Sequence, residues 1–190
     1  MPKSNLSAFS HVAGEQSSFS TNQPASPTQT DGRENREEEA LRIVKKNMYW
    51  SMGIGLIPIP WLDALGTGGL QAKALKELSD LYEIPFHEHK AKNLIASLIS
   101  GLGTPYLASF LFGATFFFVP VLGPLAYLGA MPLTAGALTY ATGKVFIQHF
   151  ESGGTFLDFN PRKVREYYRN QFKNGLHLSS QIKREQNSNT

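Results

Sequence analysis

The groups of this chain able to do acid–base or metal chemistry are five histidines and a scatter of carboxylates, and their spacing narrows what they can do. His87-Glu88-His89 is the densest cluster of ligand types. Side chains two positions apart diverge on a helix, however, and the His-Glu-x-x-His spacing that sets two imidazoles on one face is absent. The cluster reads as the polar start of a helix. Residues 136–144 loosely resemble a phosphate loop, but six residues rather than four separate Gly136 from Gly143, and Val145 stands where a Ser or Thr would be needed. There is no Gly-x-Ser-x-Gly elbow and no Gly-x-Gly-x-x-Gly turn, and Asp63, Asp80 and Asp158 have no recognisable partner motif. No catalytic, cofactor-binding or metal site is assigned, and the expectation is a protein that is not an enzyme.

Asp63 stands apart because it follows the apolar corner Ile57-Pro58-Ile59-Pro60-Trp61-Leu62. Its carboxylate suits the free N–H groups of a first helical turn. It also suits a proton-sensitive or cation-binding role beside a membrane. Both readings stay open, and Pro58, Pro60, Asp63 and Gln71 together form the candidate functional corner.

The elements that position this corner are helical. Leu41, Val44, Met48 and Met52 fall on one stripe, which predicts an amphipathic helix starting near Glu34, with Glu38 able to pair with Arg42 one turn on. Pro58 and Pro60 end it. A second amphipathic helix is expected from about Pro60 to before Pro85, with Ala74, Leu75, Leu78 and Leu81 as its apolar stripe.

Residues 93–143 then run for 51 positions without Asp, Glu, Lys, Arg or His, enough for two membrane-length arms and a turn. The turn is expected at Val119-Pro120-Val121-Leu122-Gly123-Pro124, and a kink in the first arm near Gly101-Leu102-Gly103-Thr104-Pro105. The hairpin is placed at about 93–147. The competing reading, the buried core of a soluble helical bundle, is set aside because the remaining helices look too short and few to cover two apolar arms. Gly129, Gly136 and Gly143 recur every seven residues in the second arm and form a helix-packing seam, either within the hairpin or between copies in a homo-oligomer.

Beyond Gly153-Gly154, Asn160-Pro161 announces a short basic helix ending near Asn174, in which Arg162, Lys163, Arg165, Arg169 and Lys173 accompany Val164, Tyr167, Tyr168 and Phe172. That composition suits a lipid surface more simply than nucleic acid, for which no role is expected. Cations flank the hairpin on both sides, so the positive-inside rule puts both termini in the cytoplasm, with Lys144 snorkelling toward the same face.

Composition agrees with this layout. At 190 residues the chain holds one domain, and a net charge of +3 averages an acidic start and a basic end. With no cysteine, disulfides and thiolate metal sites are excluded. The first residues lack the apolar core of a signal peptide. Residues 1–33 and 176–190 are expected to be disordered polar tails around a 34–175 domain.

The Ile57-Pro58-Ile59-Pro60 corner with Asp63 downstream, Gln71, the Leu78 to Tyr82 segment and the Gly- and Pro-rich apolar hairpin resemble the bacterial YcjF-type family, domain of unknown function 697. The resemblance spans about residues 38–159. Members of that family are often fused to, or found alongside, small GTPase domains. It implies an all-α helical membrane domain in the bacterial inner membrane that works with a GTPase, here a separate protein because this chain carries no GTPase domain of its own. The expected function is a membrane-anchored, non-enzymatic module coupling such a partner to the bilayer. An oligomeric hairpin-inserting pore and a soluble helical interaction protein are the alternatives.

Overall fold

The computed structural model describes residues 27–54, 60–103 and 122–188, with side-chain surroundings for 31–54, 69–103 and 130–188. These residues form five helices and no strand: α1 (Pro27–Ile54), α2 (Pro60–Leu81), α3 (Glu88–Ser100), α4 (Leu122–Glu151) and α5 (Arg165–Ser188). The predicted turn at 119–124, all but the start of α4, and Pro58 lie outside the described residues.

α4 is the central element, flanked by α1 and α5, with α2 against α1 and α4 and α3 against α2. Register comes from close approaches. A methyl group built at Gly143 would lie 2.3 Å from Val44 Cγ2, and one at Gly136 would lie 2.7 Å from Met52 Cγ and 2.7 Å from Ser179 Oγ. Residue numbers rise along α1 as they fall along α4, so the two are antiparallel. α5 also opposes α4, since a methyl at Gly175 would meet Ala137 Cα at 2.8 Å.

The apolar stripe of α1 is where periodicity put it: Val44, Met48 and Met52 are buried. Ala74, Leu75 and Leu78 of α2 are buried too. The Glu38–Arg42 pair forms at 2.9 Å between well-exposed side chains, so it adds little to stability.

Several expectations change. α1 begins at Pro27, ahead of Glu34, and takes in part of the segment read as a disordered tail. Pro27 supplies a first-turn proline, and Asn35 donates to Asp31 one turn earlier at 3.3 Å. The last helix is not short, since α5 continues to Ser188 through a segment read as a polar tail. Gly175, Ser179 and Ile182 keep one buried face along it. The expected kink at 101–105 is a helix end: α3 stops at Ser100, Gly101 closes it with its N–H on Ser97 O, and Gly103 adopts φ +91°.

The largest change concerns the second arm of the hairpin. Ala137, Ala141, Val145, Phe146 and Ile147 are buried against the other helices and form the core. The flanking helices are longer than their apolar patterning suggested, so they cover α4 from Met131 onward. Lys144 does not snorkel. Its ammonium lies 3.9 Å from Glu37 of α1, with the side chain 19% exposed. Among the described residues no helix is long and apolar enough to cross a membrane.

Candidate functional site

Inside the bundle the apolar core is interrupted by a polar layer to which four helices contribute. Asn47 and Ser51 sit one turn apart on α1 and are fully buried. Ser51 shares a 2.7 Å hydrogen bond with Thr139 of α4. Asn47 donates to its own helix at Ile43 O, 3.0 Å, and to Glu77 of α2, 2.9 Å. Glu77 also accepts from Lys46 at 2.9 Å, with Lys73 at 3.8 Å. Burial pulls the Glu77 carboxyl upward, but the hydrogen bonds from Lys46 and Asn47 and the two ammonium charges outweigh it and hold the group below its ordinary value.

Gln71 belongs to the same layer. It is 1% exposed, and neither its amide nitrogen nor its amide oxygen has a hydrogen-bond partner among the described residues. Six residues before Glu77 on α2, it lies about 9 Å along the helix from the Asn47 contact. On α4 and α5, Thr142 faces Tyr168, a wholly buried phenol whose ionisation burial pushes far up. Pro60 opens α2 and Asp63 falls in its first turn. The Asp63 side chain lies outside the described residues, so the corner is placed only through its backbone and Gln71.

The seam glycines are occupied within the chain. Gly143 receives Val44 of α1, and Gly136 receives Met52 of α1 and Ser179 of α5. The contact is therefore with the amphipathic α1 and the basic α5, neither of which is an arm of the expected hairpin. Gly129 lies on the backbone of α4, outside the described side chains.

The five cations read as a lipid surface divide into two groups. Arg162, Lys163, Arg165 and Lys173 are exposed. Arg169 is drawn inward, and its Nε–H donates to Gly101 O at 3.1 Å, at the carboxyl end of α3. Arg165 Nε lies close by, 3.5 Å from where a Gly101 methyl would stand. Two cations at a helix C-terminus meet its exposed carbonyls and the negative end of its dipole.

Phe146, Phe150, Phe156 and Phe159 cluster where α4 ends, and Phe146 stacks on Phe159 at 4.5 Å. His149 stands edge-on to Phe159 at 4.9 Å, and its Nε2 lies 2.9 Å from Thr155 O. Gly154 makes room for that ring, because a methyl there would fall 2.2 Å from His149 Cε1. Tyr82 donates to Glu151 across the same end.

Gln71 apart, the polar groups of this layer are largely spent on one another. Among the described residues no three His, Asp or Glu side chains gather as a metal site. His87 is the residue before α3, extended at φ −121°, and Glu88 is engaged by Lys92 at 2.6 Å. The periodicity argument missed Asn47, Ser51, Glu77 and Ser179. The available signal was the pair Asn47 and Ser51, polar residues one turn apart between Val44, Met48 and Met52.

The chain has a known relative. The chain is 30% identical over 149 residues to magnetosome membrane protein 22 of Magnetospirillum gryphiswaldense, covering 78% of this chain and 76% of that protein. No solved structure matches. The family described as Domain of unknown function (DUF697) matches residues 23–175, which takes in all of α1, α2, α3 and α4 and the first half of α5, and the chain belongs to that family.

Proposed function

We propose that this protein is a membrane-seated helical module without enzymatic activity, in which residues 104–129 enter the bilayer and the helical body presents a docking surface to a cytosolic partner. The observation that carries the reading is the charge-free run. Of the 51 uncharged residues at 93–143, those from Met131 onward are largely buried in the body. With 93–103 in α3 and the turn that ends it, and Ala130 exposed at the edge of the body, 26 consecutive uncharged residues remain, 104–129, including Phe116-Phe117-Phe118. A full helical span takes about 20 apolar residues, so 26 are too few to cross and return, and because the flanks α3 and α4 pack in one body the run enters as a re-entrant loop with two short arms. The relative is named as a membrane protein, which agrees with this seat.

The inner membrane, with both termini in the cytoplasm, is the arrangement favoured by the cations on either side of the run. A GTPase is the partner class that the family resemblance implies. A homo-oligomeric pore has less support, because Gly136 and Gly143 of the seam already receive Val44 and Met52.

Alkaline carbonate extraction of membranes tests the seat. Retention in the pellet is expected, and release into the supernatant would overturn it. Affinity capture from lysate with a GTP analogue or GDP tests the partner class: nucleotide-dependent recovery is expected, and recovery of the same proteins under both conditions would reject a GTPase.

A further inference from the structure

The outward face of α1 changes chemistry in a fixed order along its length. Residues 31–39 are all exposed and net acidic, with Asp31, Glu34, Glu37, Glu38 and Glu39 against Arg33 and Arg36. The next exposed positions are Arg42, Lys45 and Lys46, followed by Tyr49 and Trp50, 50% and 61% exposed. Past Gly53 and Ile54 the chain enters the uncharged corner, and from Asn47 to Leu62 there is no charged residue. Acid, base, aromatic and apolar zones therefore succeed one another within about 30 Å of helix.

This is the order of layers met on entering an anionic bilayer: cations suit the phosphate layer, Trp and Tyr suit the headgroup boundary, and uncharged residues suit the hydrocarbon. Glutamates at the far end stand away from the anionic surface. The buried face of α1 is committed to α2, α4 and α5 through Val44, Asn47, Met48 and Ser51, so this outward face is the one left to meet a further surface.

We propose that α1 meets an anionic lipid surface end-on and obliquely, with Lys45 at the phosphates and Tyr49 and Trp50 at the headgroup boundary, while Lys46 stays paired with Glu77. The proposal rests on the membrane seat argued above and adds a second point of contact to it, which fixes the tilt of the body. It assigns lipid contact to this face of α1, whereas the basic residues of α5 include Arg169, engaged with α3.

The test uses the full chain with Trp61→Phe, which leaves Trp50 as the sole tryptophan, reconstituted into phosphatidylcholine vesicles with and without one-third phosphatidylglycerol. On the anionic vesicles Trp50 emission is expected to shift to the blue, lose its quenching by aqueous iodide, and be quenched more by bromines near the headgroup end of the acyl chain than by bromines near its methyl end. Lys45→Glu should weaken the blue shift selectively on anionic vesicles. Trp50 that remains iodide-accessible in protein resisting carbonate extraction would overturn this inference and leave the membrane seat standing. Release of the protein by carbonate would remove both. A blue shift that follows protein concentration without lipid would assign the face to a second copy of the chain and overturn the lipid proposal.

Discussion

Val44 of α1 fills the space that a side chain at Gly143 of α4 would need: a methyl group there would stand 2.3 Å from Val44 Cγ2 and 2.7 Å from Cγ1. The two backbones meet at this point with one branched side chain between them. Gly143→Ala is therefore expected to destabilise the body by about 1–3 kcal/mol, the usual cost of overpacking. Val44→Ala in the same molecule should recover part of that loss. Unfolding in mild detergent of the two single variants and the double variant measures the coupling, and purely additive effects would contradict the contact.

The Ser51–Thr139 hydrogen bond gives a different pattern. Ser51→Ala leaves a buried Thr139 hydroxyl without that partner and is expected to cost about 1–3 kcal/mol. Adding Thr139→Val removes the stranded hydroxyl, so the double variant should be no less stable than Ser51→Ala alone. A further loss in the double variant would mean that the hydroxyl of Thr139 matters for another reason.

Glu77 makes stability depend on pH. Its folded pKa is depressed, so its ionised form is favoured by folding, and the contribution is present above the ordinary carboxylate range near 4.5. It is lost as pH falls through the lower folded value. Glu77→Gln should accordingly cost about 1–2 kcal/mol at neutral pH, less than a fully buried pair because the side chain is partly open to solvent. The difference between variant and parent should vanish at acid pH. A difference independent of pH would refute the ionic role.

Arg169→Ala removes the hydrogen bond to Gly101 O and should act locally. Amide exchange in the last turn of α3 is expected to rise, with a stability cost of about 1 kcal/mol. Arg169→Lys should restore little, because a single ammonium does not reproduce the position of the guanidinium Nε–H. Unchanged exchange in α3 would show that Gly101 alone ends the helix.

Much of this architecture is readable from residue order, for a physical reason. Val44, Met48 and Met52, like Leu75 and Leu78, are large apolar side chains repeating at helical period among polar neighbours, so their inward face announces itself. α4 gives no such clue. It is apolar on every side, and periodicity cannot separate a helix wrapped by protein from one wrapped by lipid. The extent of α5 is hidden for the opposite reason: its inward face past Phe172 starts with Gly175 and Ser179, a small and a polar residue that pack closely on Ala137 and Gly136, and only Ile182, against Met48 and Met52, is a large apolar side chain. Asn47 and Glu77 pair across thirty positions, and no local pattern encodes a contact between separate helices. The Pro58 to Asp63 corner is legible as a helix break, while its chemistry is carried by residues that local spacing does not connect.

α4 carries Pro132 inside its 30 residues. A proline has no N–H to give to the carbonyl four residues earlier, and its ring crowds that turn. On either side of it Met131 and Ala135 are already buried in the body. The least stiff point of the rod thus falls where the helix leaves its clamp, so that a tilt of residues 122–130 is absorbed at this joint while the register of Gly136 and Gly143 against α1 is kept. In the proposed membrane seat, thinning or curvature of the bilayer would reach the body as a change of angle, with little strain on its core.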